Sequence, residues 1–201
     1  MAFYTGYIQL PTISYDAWKL AVAGNGYDAD GYYGDQCWDL VAEFWWNIGF
    51  PQGYPHTGVN HSAYECWTVS KDANKAYNGT TYFDLIYNFS DVKKGDVIVY
   101  ADTPAVPSGH IGFADEDYNG TSYIHLLGQN QGNTGIPTPI PNPLGGTTAT
   151  VSNLETATNF LGAFRYRNWH QPVPPTPTSN PQSNFKWVLY ARKLRQKQNN
   201  L

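Results

Sequence analysis

The chain has 201 residues, 41% of them hydrophobic and 14% charged, with 16 Tyr, 9 Phe and 7 Trp. That is one domain's length with room for a small appendage; it can bury a core and is too apolar for a disordered tail. A net charge of −4 argues against a nucleic-acid partner, no long apolar run offers a transmembrane helix, and the N-terminus lacks the basic-then-apolar pattern of a signal peptide.

In chain order, the spacing predicts a first helix over Tyr15 to Ala23 and a second over Cys37 to Ile48, whose apolar positions 40, 41, 44, 45 and 48 make one buried face. A third helix is predicted over Ser62 to Ala76. Short strands follow at Asp96 to Ala101, His110 to Ala114, Ser122 to Leu127 and Phe160 to Tyr166, each after turn chemistry such as Lys93-Lys94-Gly95-Asp96. Helices first and strands afterwards indicate an α+β fold with an antiparallel sheet. The Pro-rich run 171–181 cannot continue a helix or a central strand and reads as an extended linker between a domain at 1–170 and a tail at 182–201. Within the tail, Trp187, Tyr190, Ala191 and Leu194 fall at helical intervals. The tail holds five of the 12 Lys and Arg and none of the 16 acidic residues, so it carries +5 against −9 for the rest. It reads as a basic amphipathic helix that docks on an anionic polymer or on a partner protein.

The segment Asp28 to Asp39 carries the most chemistry. Counting Asp28 as 1, oxygen-bearing positions fall at 3 (Asp30), 5 (Tyr32), 7 (Gly34) and 12 (Asp39), close to the ligand spacing of a calcium-binding EF-hand loop. Tyr33 stands where such a loop has Gly, and Asp39 where it has Glu. The expectation is therefore a related calcium loop with a different turn: Asp28, Asp30 and Asp39 give carboxylates, and Tyr32 and Gly34 give backbone carbonyls. The same residues also suit an acidic surface loop with Asp as turn former and helix cap.

Cys37 opens the helix directly after this loop. A helix N-terminus favours a thiolate, and a neighbouring imidazolium would lower the thiol pKa further, so a catalytic cysteine belongs here. Cys66 has no such context and reads as core. For the base, His110 in Ser108-Gly-His-Ile-Gly112 has flanking glycines that suggest an accessible imidazole; His125, in the middle of a strand, is the other choice. His56 and His61 look like surface. After the third strand, alternation puts Gly128 and Asn130 on one face and Gln129 on the other, so Asn130 is the candidate to orient the imidazole. The Cys37 backbone N–H, with the Gln36 side-chain amide, would make an oxyanion hole. Tyr32, Tyr33, Trp38, Trp45, Trp46 and Trp67 crowd this site in sequence; Trp45 fits the buried helix face.

The run Asp-x-Asp-Gly-Tyr-Tyr-Gly-x-Gln-Cys-x-Asp at 28–39 resembles the nucleophile segment of CHAP domains, the cysteine, histidine-dependent amidohydrolase/peptidases; calcium-binding phage endolysins and virion-associated lysins of that family carry a very similar run. Downstream, Val92 to Tyr100, Ser108-Gly-His-Ile-Gly112 and Gly128-Gln-Asn130 resemble the strand before the family's histidine, its histidine strand and its third polar motif, so the likeness spans roughly residues 15–168. The resemblance implies a papain-like α+β fold, with N-terminal helices on an antiparallel sheet, and hydrolysis of amide bonds in bacterial peptidoglycan by an amidase or endopeptidase. It implies Cys37 as nucleophile, His110 as base, Asn130 as the orienting residue, and Asp28, Asp30, Tyr32, Gly34 and Asp39 as ligands of a structural calcium ion. Gly128 departs from the pattern, since several family members carry Glu there. The implied setting is the host cytoplasm and then the cell wall, or a virion. The alternative is a non-catalytic wall-binding or structural module, which has no need of Cys37, His110 and Asn130 together.

Overall fold

The computed structural model describes residues 14–131, 146–155 and 157–170; the proposed linker 171–181 and tail 182–201 lie outside them. Helix α1 (Tyr15–Val22) starts where the Ser14 hydroxyl accepts the Ala17 N–H at 3.3 Å. Helix α2 (Cys37–Asn47) starts where the Asp39 carboxylate accepts the Gln36 N–H at 2.8 Å. Both match the helices predicted from the sequence.

The predicted third helix is two short ones, α3 (Glu65–Thr68) and α4 (Lys71–Lys75). Tertiary hydrogen bonding breaks it. The Glu65 carbonyl accepts from both Val69 and Ser70, and the buried Asn74 side chain donates to the Cys66 and His56 carbonyls while accepting the His56 N–H.

Strands β1 (Ala76–Tyr77) and β2 (Thr80–Thr81) form a small hairpin. Strands β3 (Phe83–Ile86), β4 (Val97–Tyr100), β5 (His110–Ala114), β6 (Tyr123–Gly128), β7 (Thr150–Glu155) and β8 (Phe160–Tyr166) form an antiparallel sheet in the order β3-β8-β4-β5-β6-β7. The chain then closes with α5 (Arg167–His170). The α+β architecture expected from the sequence is therefore the fold. The two sheet strands that sequence patterning missed, β3 and β7, are its edges, where short and polar strands are tolerated.

The central strand β4 is buried on both faces. Val97 and Val99 point to the helices, with Phe83, Ile111, Phe113, Leu127 and Phe164. Ile98 and Tyr100 point the other way, into a smaller cluster with Ile124, Leu126 and Ala163. Helix α2 is held on the sheet by two rings. Phe44 stacks on Trp169 at 4.7 Å and meets Phe113 edge-on at 5.3 Å, and Trp45 stacks on Phe83 at 4.1 Å. Burying side chains of this size contributes about 2–3 kcal/mol each, enough to fix the N-terminus of α2 against β5.

Candidate active site

Cys37 is the first residue of α2, so its backbone N–H has no partner one turn back. Its sulfur accepts the backbone N–H of Ile111, the residue after His110. That contact brings the thiol to the strand end that carries the imidazole. Two residues 73 positions apart in the chain thus meet where a helix start faces a strand start.

Burial governs both groups. It pushes the Cys37 thiol up to about 11, against the opposing pull of the Ile111 N–H and with the Asp39 charge adding to the rise. It pushes His110 down to about 4, partly offset by a hydrogen bond that the ring donates to the Gln131 side chain. Both shifts favour the neutral forms, thiol and imidazole. They run against the low-pKa thiolate expected from the helix N-terminus, because desolvation of these half-buried groups opposes the helix dipole. The His110 Nε2 atom is buried and has no hydrogen-bond partner, which leaves a ring nitrogen open to a proton.

The glycines around His110 do not serve access. Gly109 has φ +66°, and a Cβ there would lie 2.5 Å from the Tyr100 carbonyl; one at Gly112 would lie 2.6 Å from Leu126 Cδ2. Both allow the backbone to approach its neighbours closely. The other histidine considered, His125, sits apart: its Nδ1 pairs with Glu116 Oε1 at 2.8 Å. His56 and His61 are exposed, and Cys66 is fully buried in the core, all as expected.

The amides after β6 depart from simple alternation. Asn130 has φ +51°, the left-handed region, which Asn enters more readily than most residues. The strand pattern ends there. The Asn130 side chain is exposed, and its Nδ2 donates to Gln36 Oε1 at 2.5 Å. The structure therefore places Asn130 on Gln36, and it is the buried Gln131 whose side chain acts on His110. Gln36 Nε2 donates to the Tyr33 carbonyl at 2.7 Å, which commits one of its two N–H groups and leaves the other for a ligand. Fully buried Gln129 clamps the chain before the acidic loop. Its Oε1 accepts the Tyr27 N–H, and its Nε2 donates to the Tyr27 and Gln36 carbonyls.

In that loop, Asp28, Asp30 and Asp39 each bring a carboxylate oxygen to within 4.8 Å of the others. Asp28 Oδ1 is buried without a hydrogen-bond partner. Burial, with the charges of Asp30 and Asp28, pushes Asp39 up to about 7, against the N–H groups of Gln36 and Ala29 that it accepts. Three crowded carboxylates, one with an orphaned oxygen, fit a hard divalent cation. Gly31, Tyr33 and Gly34 all have positive φ, so the turn differs from that of an EF-hand. Tyr32 and Tyr33 stand exposed on this loop, whereas Trp38 and Trp46 donate their indole N–H groups to the Pro55 and Tyr54 carbonyls. Trp45 is buried on the sheet, as expected.

Gln131 and Gln129 are the site residues that sequence reasoning missed. The signal available was the Asn between them, a residue prone to left-handed backbone that resets which face each neighbour takes.

Comparison with known proteins adds four findings. The profile of the CHAP domain family matches residues 25–130. The chain is 33% identical over 120 residues to the D-alanyl-L-alanine endopeptidase of Streptococcus phage B30, over 59% of this chain and 25% of that protein. It is 30% identical over 114 residues to Endolysin PlyTW of Staphylococcus phage Twort, over 55% of this chain and 22% of that protein. The chain thus spans about a quarter of the length of these relatives. The crystal structure of the wild-type endolysin LysIME-EF1 shares the fold, with a TM-score of 0.52 at 21% identity over 83% of this chain and 67% of that one.

Proposed function

The chain belongs to the CHAP domain family, and from that premise we propose that it is a cysteine-dependent hydrolase of amide bonds in bacterial peptidoglycan, acting as part of a phage lysin. The observation that carries this reading is the Cys37 sulfur held by the Ile111 N–H beside His110.

The chemistry is acyl transfer between two groups that start neutral. As substrate displaces water, His110 takes the Cys37 proton and the sulfur attacks the scissile carbonyl carbon. The Cys37 backbone N–H and the uncommitted Gln36 N–H face the developing oxyanion. The His110 imidazolium then gives its proton to the leaving amine, and a thioester remains on Cys37. Water attacks that thioester with His110 again as base; the carboxylic acid leaves and the thiol is restored. The Ile111 N–H favours the thiolate form, so it supports the step in which charge appears on sulfur.

Calcium is the ion we assign to Asp28, Asp30 and Asp39, with the Tyr32 and Gly34 carbonyls completing the set. Its contribution would be structural: its two positive charges would offset the repulsion among three carboxylates and fix the loop that leads into Cys37. The phage B30 relative is a D-alanyl-L-alanine endopeptidase, which makes a D-alanyl-L-alanine peptide bond the substrate to test first.

The test is mass spectrometry of purified peptidoglycan digested with the wild-type chain and with Cys37→Ala, calcium present. New amine ends only with wild type are expected, and the fragment masses separate peptide cleavage from cleavage at the muramoyl amide. Equal ends with both proteins, or none from walls of several bacterial types, would leave the non-catalytic module as the answer.

A further inference from the structure

We propose that Gln131 is the positioning residue of His110, and that Asn130 serves the Gln36 side of the site instead. This rests on the reading of Cys37 and His110 as an acyl-transfer pair.

The geometry begins at Asn130. Its left-handed backbone turns the chain so that Gln131, and not Asn130, returns its side chain to the sheet. Gln131 is 6% exposed. Its Nε2 donates to the carbonyls of Leu126 at 3.1 Å, Gly128 at 3.0 Å and Thr150. Three carbonyls share the two N–H groups of Nε2 and fix which end of the amide is nitrogen, so Oε1 is the acceptor end. The Ser152 hydroxyl donates to Oε1 at 2.8 Å. A carboxamide oxygen accepts two hydrogen bonds; the antiparallel register of β5 on β6, Phe113 opposite Leu127, carried on to the start of β5 sets His110 level with the turn at Asn130, and the ring donates to the Gln131 side chain there. Gly128 makes the room: a Cβ there would stand 3.2 Å from Gln131 Cδ. The position where several family members carry Glu is thus emptied, and the Gln131 amide lies beside it.

An acceptor anchored this firmly does two things for an imidazole. It selects the tautomer whose N–H faces it, leaving the other nitrogen as base, and it steadies the imidazolium that forms during the reaction. Asn130, by contrast, has its Nδ2 on Gln36, where it fixes the direction in which the Gln36 N–H groups point.

The test is an NMR titration of the 15N-labelled His110 ring in the full chain, paired with steady-state kinetics. Gln131→Leu keeps the size and removes the acceptor. His110 should titrate at lower pH than in wild type, and kcat should fall about 10²-fold with KM little changed, the scale of a misplaced catalytic group. Gln131→Glu puts a carboxylate beside the ring; His110 should titrate higher, and the acid limb of the pH profile should move up with it. Asn130→Ala should leave the His110 titration where it is. If the Leu and Glu variants do not fold, Ser152→Ala retains every Nε2 anchor and frees Oε1 for the ring, which should raise the His110 titration. A His110 titration unmoved by all folded variants at 131 and 152, or one moved by Asn130→Ala instead, would overturn the proposal. Because the ring titration is read without turnover, a wild type lacking Cys37-dependent hydrolysis would count against the proposed function and leave the Gln131 contact separately decided.

Discussion

In the proposed reaction His110 would carry a proton in a place where charge is costly. Burial holds it near pH 4 against the ordinary 6.5, so it would enter that reaction as a base. The same shift has a stability consequence whose sign is fixed by linkage. Between about pH 6.5 and about pH 4 the unfolded chain binds a proton at His110 and the folded chain does not, so stability is full above that window and falls as pH drops through it. Asp39 works in the opposite sense in the ion-free protein: its carboxyl is held up to about 7, so its protonation on acidification favours the folded state. A difference measurement separates the two. Denaturant midpoints at neutral and acid pH should fall further for wild type than for His110→Gln, while the Asp39 contribution cancels between them. Equal falls would mean that His110 is not held neutral by burial. That Cys37 and His110 are the candidate pair was legible in the sequence, because Cys37 follows a turn-rich acidic loop and His110 sits between glycines. Their protonation was not, because it is set by Ile111, by Gln131 and by the depth of the sheet, all brought in by tertiary packing.

The loop 28–36 and helix α2 function as one element. Gln129 ties its entry at Tyr27 and its exit at Gln36, Asp39 reaches back from the helix to Ala29 and Gln36, and Phe44 and Trp45 bolt the helix to the sheet. Only the carboxylates between these ties remain mutually repelling, and a divalent cation removes that repulsion. Calcium at about 100 times its dissociation constant should add about 2.7 kcal/mol, a melting rise of roughly 5–10 °C for a domain of this size. Chelator should reverse the rise, and Asp28→Asn should remove most of it, with lytic activity falling as the loop before Cys37 loosens. Melting and activity both indifferent to chelator would remove the ion from the account. The acidic spacing and both long helices were legible at this scale, since they depend on local pattern. The amide clamp was not, because period-two alternation fails at a left-handed Asn130, and the split of the third helix was not, because the Asn74 side chain takes over carbonyls that a continuous helix would use.

Across the whole chain, charge is divided rather than balanced. Residues 182–201 carry +5 and the remainder −9. Bacterial wall polymers are anionic, so the acidic portion is repelled by the surface on which we propose it acts. A cluster of five basic residues would supply the opposing attraction, and such an attraction is screened by salt: the Debye length falls from about 10 Å at 0.1 M salt to about 3 Å at 1 M. Two results should therefore appear together when the full chain and a chain lacking 182–201 are pelleted with cells. The full chain should bind at low salt and release as salt rises, and the shortened chain should bind weakly at every salt concentration. Hydrolysis of soluble wall fragments should remain equal for the two, since every described residue of the Cys37 and His110 site lies before 171. If the shortened chain binds cells as well as the full one, the tail does not dock on the wall, and its basic face has to be matched to an acidic protein partner instead.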